Sequence, residues 1–328
     1  MNLMYATDKN YAAICGTSMY SLLINNQAAN EIHIYLIEDN IEDEKEKFIE
    51  LVKKFNRTIT IIAAQEIFAQ FRDFDVPRYN GGYTTYIRLG VADYLQNIDK
   101  LLYIDCDTLI LNNIQEMYDT DIQNAPLGAV SDGMNASCNL LIKRKKTDMY
   151  YNAGILLMNL RYWRTHKIFE KIQSDMKTLN LKRTATASDQ DIINYSLGDM
   201  IIKLPLKYNV LVQNRVFKPE SFRYMIEKDD ITYYSLSEMR DASENPCILH
   251  FAGFSLERPW YSNSLDPVCP MWDSYLRKTP WKSYEKQKIS QTRWRKTCIF
   301  VLKNFPEWIY MIIKKYEERF KYFKKKIF

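Results

Sequence analysis

Glycine is scarce in this chain: 9 of its 328 residues are glycine, against a usual share of about 7%. Neither a G-x-G-x-x-G nor a G-x-x-x-x-G-K pattern occurs in the sequence. Such patterns place backbone N–H groups around phosphates in dinucleotide-binding and P-loop proteins. A glycine-cradled phosphate site is therefore not expected, and a bound diphosphate would depend on a metal ion to neutralise its charge.

Cysteine pairs and long apolar runs are also missing. The six cysteines are scattered without a C-x-x-C pair, which favours reduced thiols in a cytoplasmic protein over a disulfide framework or a zinc site. No run of about 18 apolar residues is present, so we expect no membrane-spanning helix. The segment Met1–Tyr11 has neither the basic nor the apolar region of a signal peptide, and secretion is not indicated.

Charge is distributed unevenly along the chain. Residues 277–328 hold 16 Lys and Arg against 4 Asp and Glu, whereas the remaining residues hold 29 against 36. The net charge of +5 therefore combines an acidic body with a strongly basic C-terminal segment. An acidic body argues against a nucleic-acid-binding core and suggests a catalytic domain with a basic appendage.

Short apolar runs alternate with amphipathic stretches before about Pro259. Strands are predicted at Asn2–Ala6, Glu31–Ile37, Thr58–Ala63, Lys100–Ile104, Pro126–Val130, Gly154–Asn159 and Cys247–Phe251. Helices are predicted at Tyr11–Asn25, capped by Asp8 or Asn10, at Asp43–Phe55 and at Thr84–Leu95. This alternation indicates an α/β domain with a mostly parallel sheet. Tryptophans interleaved with Lys and Arg then indicate a small helical C-terminal region.

A pair of aspartates follows a predicted central strand. Asp105 and Asp107 come directly after the apolar Leu101–Ile104, and on extended chain two side chains at this spacing point the same way. Two such carboxylates suit a hard cation such as Mg²⁺ or Mn²⁺. The alternative is a pair of solvated aspartates in a turn. His250, which lies at the end of another apolar run, would complete a mixed site typical of Mn²⁺; a hydrogen-bonded core histidine is the alternative.

Two arginines and two short segments supply further polar candidates. Arg88, on a predicted helix, and Arg258 are suited to bidentate contacts with phosphate or sugar hydroxyls; otherwise each is a solvated surface residue. Asp189 and Gln190 lie at the start of a predicted helix, where they could bind sugar hydroxyls or only complement the helix dipole. The small residues within Tyr151–Gly154 allow close approach of a ligand or form a tight turn.

These segments occur in an order that resembles glycosyltransferase family 8, especially its bacterial lipooligosaccharide α-galactosyltransferases. The matching segments are Tyr5–Tyr11, Tyr83–Leu89, Leu102–Asp107, Tyr151–Gly154, Asp189–Asp191 and His250–Gly253. Each is weak alone, but the ordered set is specific, and the resemblance covers roughly residues 1–262. It implies a GT-A fold, the Rossmann-like fold of nucleotide-diphospho-sugar transferases. It also implies a hexosyltransferase that takes galactose or glucose from a UDP-sugar with retention of anomeric configuration.

The resemblance implies roles for individual residues as well. Asp105, Asp107 and His250 would bind Mn²⁺, or Mg²⁺ in its place. Asp189 and Gln190 would form the catalytic pair at the transferred sugar. Contacts to the nucleotide-sugar would come from Ala6, Thr7, Asp8, Asn10, Tyr11, Arg88, Asp105, Cys106, Asp132, Asn152, Gly253 and Arg258.

The loop after His250 departs from the family pattern. The family reads His-Phe-x-Gly, two residues and Lys-Pro-Trp, whereas this chain has the longer segment Gly253–Trp260 with arginine in place of the phosphate-binding lysine. Arg258 keeps the positive charge and adds a fork of donors. The direction in which a longer loop points this arginine stays open at this stage.

We expect a same-face transfer reaction. An amide is a poor nucleophile, so Gln190 is expected to position the sugar while the departing phosphate accepts the proton of the acceptor hydroxyl. A covalent sugar intermediate is the alternative. Two other functions stay open: a nucleotidyltransferase, which normally carries a glycine- and basic-rich loop that is absent here, and a nucleotide-sugar-binding protein without transfer.

The chain is expected to divide into a catalytic domain, residues 1–262, and a basic, aromatic-rich region, residues 263–328. Basic residues beside aromatic ones suit a helix at an anionic membrane surface, so we expect peripheral association with the inner face of the plasma membrane. A helical region packed on the catalytic domain is the alternative. The expected acceptor is a cell-surface glycan such as lipooligosaccharide, lipopolysaccharide or a capsule precursor, bound by residues 72–83 and 133–148.

Overall fold

The computed structural model describes residues 1–71, 84–179, 188–252 and 256–327. Its strands are β1 (Asn2–Asp8), β2 (His33–Asp39), β3 (Thr58–Ala63), β4 (Lys100–Ile104), β5 (Thr108–Ile110), β6 (Leu127–Ser131), β7 (Tyr151–Asn159), β8 (Ile202–Lys203), β9 (Val210–Leu211) and β10 (Ile248–His250). Every predicted strand is confirmed, with ends shifted by a few residues.

Seven strands form one sheet in the order β3-β2-β1-β4-β7-β6-β8. β1 is parallel to β2 and β4, β2 to β3, and β6 to β8, whereas β7 is antiparallel to β4 and β6. On β1, Leu3 and Tyr5 pack into the apolar cluster on one face and Met4 into the cluster on the other. This is the two-residue period of a strand that is buried on both faces. The predicted mostly parallel sheet is confirmed.

The chain leaves this sheet at the aspartate pair. β4 ends at Ile104, residues 105–107 bend, and β5 begins at Thr108 in a second, three-stranded sheet with the order β5-β10-β9. The prediction that Asp105 and Asp107 lie on extended chain was therefore wrong. β10 runs antiparallel to β5 and pairs His250 with Thr108, so the bend brings the aspartates to the histidine.

Helices cover both faces of the large sheet. They are α1 (Ala12–Asn25), α2 (Lys45–Lys53), α3 (Ala64–Phe68), α4 (Ile87–Tyr94), α5 (Gln115–Tyr118), α6 (Cys138–Leu141), α7 (Leu160–Thr165), α8 (Ile168–Leu179), α9 (Ser188–Leu197), α10 (Val212–Val216), α11 (Pro219–Ile226), α12 (Leu236–Glu244), α13 (Cys269–Leu276), α14 (Arg293–Asn304) and α15 (Glu307–Ile327). The three predicted N-terminal helices are confirmed as α1, α2 and α4. The last two are shorter than predicted because 3-10 turns precede them at Glu42–Glu44 and Thr84–Tyr86.

The predicted side-chain cap of α1 was wrong. The residue at the N-cap is Tyr11, whose side chain makes no capping hydrogen bond. Asp8 Oδ1 instead accepts the backbone N–H groups of Asn10 and Tyr11 at 2.9 and 3.0 Å. Asp8 thus holds the turn between β1 and α1, at the end of the strand.

The C-terminal region is helical, as predicted, and packs on the rest of the chain. Trp281 is buried against Gly16 of α1, where an added Cβ would overlap the indole ring. Its Nε1 donates to Glu44 Oε2 at 2.5 Å. Trp294 and Trp308 are 50% and 59% exposed. No helix in the described parts of the chain combines the length and apolar character needed to cross a membrane.

Candidate active site

Two carboxylates and one imidazole converge between the two sheets. Asp105, Asp107 and His250 each place one ligand-type atom within 4.8 Å of the others. His250 Nε2 lies 3.1 Å from Asp107 Oδ1 and 3.8 Å from Asp105 Oδ2. Two hard oxygens and one imidazole nitrogen form a donor set that fits Mn²⁺, so the residues present fit the expected metal.

The charges of this cluster depend on one another. Burial alone would raise the pKa of Asp107, but the charge of His250, its hydrogen bond and the nearby Arg258 hold that pKa below its usual value. Burial opposes protonation of His250, yet the Asp107 carboxylate raises its pKa. Both interpretations of His250 thus hold in part. The imidazole is a buried, hydrogen-bonded core residue, and it also faces two carboxylates.

Gly154 explains how these groups approach so closely. An added Cβ at Gly154 would overlap the ring of His250 and lie 2.7 Å from Asp105 Oδ2. The backbone of β7 runs directly behind the cluster, where the N–H of Asp105 donates to Gly154 O at 2.8 Å. Gly154 therefore allows side chains of the cluster itself to approach the backbone. The tight-turn alternative was wrong, because Tyr151–Asn159 is a strand, and the close approach of a ligand stays a prediction.

Arg88 is buried, so the surface alternative for this residue was wrong. Its exposed fraction is 4%, and its guanidinium contacts Asp105 Oδ1 at 3.0 Å and Asp189 Oδ2 at 3.2 Å. It also donates to the Ala153 carbonyl and lies 4.0 Å from the centroid of the Tyr103 ring. Burial opposes its charge, but Asp105, Tyr103 and Asp189 raise its pKa. Arg88 thus joins the metal cluster to the first turn of α9.

Asp189 and Gln190 lie at the start of α9, as predicted, and both are buried. Burial raises the pKa of Asp189 to about 6, an effect that Arg88 opposes. Gln190 Oε1 accepts the Ala153 N–H at 2.9 Å, and Nε2 donates to Asp132 Oδ2 at 3.2 Å. Both ends of the amide are therefore held in place.

Asp132 and Asn152 form the neighbouring part of the same network. Asn152 Nδ2 donates to Asp132 Oδ2 at 2.6 Å, and Asp132 Oδ1 accepts the Met134 N–H at 2.7 Å. Asn152 Oδ1 accepts from the N–H of Gly154 and from Nδ2 of Asn209, both at 2.8 Å. Asn209 is a residue that the sequence reasoning missed, because no pattern surrounds it.

Arg258 reaches the cluster despite the longer loop. Its Nη1 donates to the Tyr11 hydroxyl at 2.7 Å, and its Nη2 lies 3.6 Å from Asp107 Oδ2. The preceding residue, Glu257, is buried and lies 2.6 Å from Arg295 Nε at the start of α14. The C-terminal region thus contacts the loop that carries Arg258, another link that sequence reasoning missed.

All the predicted site residues that the structure describes line one cleft of about 900 Å³. They are Ala6, Thr7, Asp8, Asn10, Tyr11, Arg88, Asp105, Cys106, Asp107, Asp132, Asn152, Asp189, Gln190, His250 and Arg258. Gly253 and the expected acceptor segment 72–83 lie outside the described residues. From the other expected acceptor segment, Gly133, Met134 and Asn135 line the cleft.

The same cleft is also lined by the C-terminal helices. Trp294, Arg295 and Cys298 of α14 and Lys314 and Glu317 of α15 are among its lining residues. The charge and the aromatic residues of this region favoured a membrane-surface appendage, with a helical region packed on the catalytic domain as the alternative. The structure instead makes it part of the cleft wall.

The strand ends of this α/β fold thus gather an acidic cluster, an imidazole and two arginines in one cleft. The family model described as glycosyl transferase family 8 matches residues 2–264, so the chain belongs to that family. The fold is GT-A, and the protein is a glycosyltransferase.

Relatives and solved structures agree with this family. Over 294 residues the chain is 26% identical to General stress protein A of Bacillus subtilis, covering 89% of this chain and 98% of that protein. Over 294 residues it is 26% identical to the lipopolysaccharide 1,3-galactosyltransferase of Salmonella typhimurium, covering 85% of this chain and 79% of that protein. The crystal structure of the galactosyltransferase LgtC with donor and acceptor sugar analogues superposes on this chain with a TM-score of 0.69 at 22% identity. The superposition covers 90% of this chain and 99% of the LgtC chain.

Proposed function

We propose that this protein is a metal-dependent, retaining hexosyltransferase that transfers galactose or glucose from a UDP-sugar to a cell-surface glycan. The observation that carries the proposal is the convergence of Asp105, Asp107 and His250 with Gln190 and Arg258 in one cleft. A similar enzyme of Salmonella is named for galactose transfer to lipopolysaccharide, which supports the choice of sugar and acceptor.

The donor would lie along the strand ends. Residues between Ala6 and Tyr11 would contact the nucleoside, and Arg258, between Tyr11 and Asp107, would contact the diphosphate. Asp105, Asp107 and His250 would hold Mn²⁺, which would neutralise the leaving diphosphate. Asp132, Asn152, Asp189 and Gln190 would then surround the sugar.

Gln190 would orient the sugar in this reaction. Its Oε1 already accepts the Ala153 N–H and its Nε2 already donates to Asp132, which supports a positioning role because both ends of the amide are held in place. The bond between the anomeric carbon and the diphosphate oxygen would break, and the acceptor oxygen would bond to the same face. The proton of the acceptor hydroxyl would pass to the departing diphosphate.

The first experiment is a panel of UDP-sugars incubated with Mn²⁺ and no acceptor, with released UDP as the readout. Slow release of UDP from UDP-galactose or UDP-glucose, stopped by a chelator and by Asp105→Asn, is expected. Asp99→Asn is the matched control, because Asp99 forms an exposed ion pair with Arg164. Full release in excess chelator, or binding without release, would contradict the proposal. An α-linked product seen by NMR would support retention.

We also propose that the C-terminal helices hold the enzyme at an anionic membrane surface. Tyr310 and Met311 turn the inner face of α15 into the core, while Tyr316, Phe320 and Phe323 are 58 to 67% exposed. The exposed rings lie on a helix of the segment that carries 16 Lys and Arg against 4 Asp and Glu. Exposed aromatic rings beside basic residues match the chemistry of an anionic lipid interface.

Co-sedimentation with anionic liposomes tests this location. Replacing both Phe320 and Phe323 by serine should reduce binding several-fold, and high salt should reduce it further because it screens the basic residues. Ile231→Ser is the matched control, because Ile231 is 75% exposed outside the C-terminal region. Equal binding of the double variant and the control, or binding that is indifferent to lipid charge, would contradict the proposed location.

A further inference from the structure

Asn209 lies at the centre of the site although nothing in the sequence singles it out. It follows the 3-10 turn Leu206–Tyr208 and directly precedes β9. β9 pairs with β10 and places Leu211 opposite His250. The Asn209 side chain is 1% exposed, so its amide must find its partners within the protein.

The amide joins two groups that are distant in the sequence. Asn209 Oδ1 lies 2.8 Å from His250 Nδ1, and Asn209 Nδ2 donates to Asn152 Oδ1 at 2.8 Å. Asn152 Nδ2 in turn donates to Asp132 Oδ2 at 2.6 Å. A continuous chain of hydrogen bonds therefore runs from the expected sugar contacts to the expected metal ligand.

The orientation of each amide in this series of hydrogen bonds follows from Asp132, at one end of it. The carboxylate of Asp132 accepts hydrogen bonds, so the amino group of Asn152 must face it. The N–H of Gly154 donates to Asn152 Oδ1 at 2.8 Å, which requires the same orientation. Asn209 must then turn its amino group to Asn152 and its oxygen to His250.

This orientation determines the tautomer of the neutral histidine. Because Asn209 Oδ1 accepts from Nδ1–H, Nδ1 keeps its proton, and the nitrogen that can give up its proton to bind a metal ion is Nε2, which lies 3.1 Å from Asp107 Oδ1 and 3.8 Å from Asp105 Oδ2. A metal-binding imidazole needs its free nitrogen on that side, and a hydrogen bond to its other nitrogen fixes the ring. The ring is already aimed at the cluster.

We propose that Asn209 is a positioning residue that orients His250 for metal binding and couples the metal site to the sugar-binding residues. The inference rests on the proposed function and extends it, because it assigns a separate task to each end of one amide. The oxygen of Asn209 sets the metal affinity. The amino group, acting through Asn152, sets the affinity for the donor sugar.

Two substitutions separate these tasks. Asn209→Leu removes both ends of the amide and should weaken Mn²⁺ binding about 10- to 100-fold, the usual effect of losing such a partner. Asn209→Asp keeps an oxygen toward His250 but turns an oxygen toward Asn152. It should leave Mn²⁺ affinity within about threefold of the wild type while raising KM for the UDP-sugar about tenfold, through loss of one buried hydrogen bond.

Mn²⁺ affinity is measured on the full chain by electron paramagnetic resonance or calorimetry, without substrate turnover. Asn26→Leu is the matched control, because Asn26 is equally buried but bonds only backbone groups, at Leu22 O and Ile114 N. The control should lose stability and keep Mn²⁺ affinity. Circular dichroism checks that each variant is folded.

The outcomes are distinguishable. Wild-type protein that binds no Mn²⁺ would overturn the proposed metal site and this inference with it. If folded Asn209→Leu binds Mn²⁺ as tightly as the wild type does, this inference alone is overturned. If Asn209→Leu does not fold, Asn209→Asp decides: a 10-fold or greater loss of Mn²⁺ affinity, or an unchanged KM, contradicts the assignment.

Discussion

The charged residues of the cleft and those of the C-terminal helix α15 are packed in different ways. Arg88, Asp189 and His250 are more than nine-tenths buried, and each contacts an opposite charge or a fixed hydrogen-bond partner. On α15, charged residues lie among aromatic rings that are more than half exposed. A buried charge that loses its partner is costly, whereas an exposed one is not. Substitution of a charged residue should therefore cost more stability in the cleft than on α15.

The largest effect on activity is expected at Gly154, which lies directly behind the buried cluster. Gly154→Ala places a methyl group against His250 and Asp105, and a displacement of about 1 Å at a catalytic site costs about 100-fold in rate. UDP release and Mn²⁺ binding should both fall by about this factor. Gly128→Ala in β6 is the control, because its methyl would meet only the flexible end of Leu204 at 3.2 Å. Activity of Gly154→Ala close to that of the control would show that the cluster has room to adjust.

The next effect is on the free energy of unfolding. Arg88→Met leaves Asp105 and Asp189 without their shared buried cation, and breaking such a pair costs about 3–5 kcal/mol. Arg240→Met removes a cation from Glu220 where both side chains are about half exposed, and should cost far less because solvent screens the pair. Urea unfolding measures both variants. Similar losses would mean that burial does not separate the two kinds of ion pair.

A third prediction separates two tryptophans of the C-terminal region. Trp281→Ala opens a cavity beside Gly16 and Phe48 and should reduce the free energy of unfolding by about 3–5 kcal/mol. Trp308 is 59% exposed, so Trp308→Ala should change the free energy of unfolding by less than about 0.5 kcal/mol. The same substitution should weaken liposome binding. Thermal unfolding and co-sedimentation together test this. Stability loss in both variants would place the whole region in the core.

The smallest effect concerns a buried lysine beside Asp132. The pKa of Lys228 is lowered from 10.5 to about 8, mainly because the side chain is buried. The nearby Asp132 and Cys138 raise this pKa, and Lys203 lowers it further. Its ammonium group donates to the Asp132 carbonyl at 2.8 Å. Because the folded pKa lies below the unfolded one, the charge destabilises the fold below about pH 8, and the penalty fades as pH rises toward 10.5.

Lys228→Met should therefore stabilise the protein at pH 7. The shift corresponds to roughly 3 kcal/mol, from which about 1 kcal/mol is lost with the hydrogen bond. The gain of about 2 kcal/mol should shrink as pH rises from 8 to above 10. Unfolding of the variant and the wild type at each pH gives the difference. A gain that is constant with pH would assign the effect to packing instead of charge.

Much of the fold could be predicted from the sequence because the signals are local. Short apolar runs located β1, β4 and β7, and the polar residues that follow such runs marked the strand ends to within a few residues. The aspartate pair was found in this way, although the inferred extended geometry was wrong. A bend and a change of sheet after Ile104 cannot be read from a run of apolar residues.

Burial of single polar residues could not be predicted in the same way. Arg88 lies on a helix whose sequence allows either a surface or a buried arginine, and only the approach of Asp105 and Asp189 decides between them. The basic C-terminal segment reads as an appendage from its charge. Its contact with Glu257 depends on how the helices pack.

The sequence by itself determined the α/β class, the order of the motifs and the residue types available at each strand end, because these follow from local periodicity and composition. The tertiary structure alone decided that Asn209 connects His250, 41 residues away, to Asn152, 57 residues away. Hydrogen bonds between such distant residues require atoms placed within a few tenths of an ångström. That placement comes from the way in which β7 of the large sheet meets β9 and β10 of the second sheet at the cleft, which no local pattern encodes.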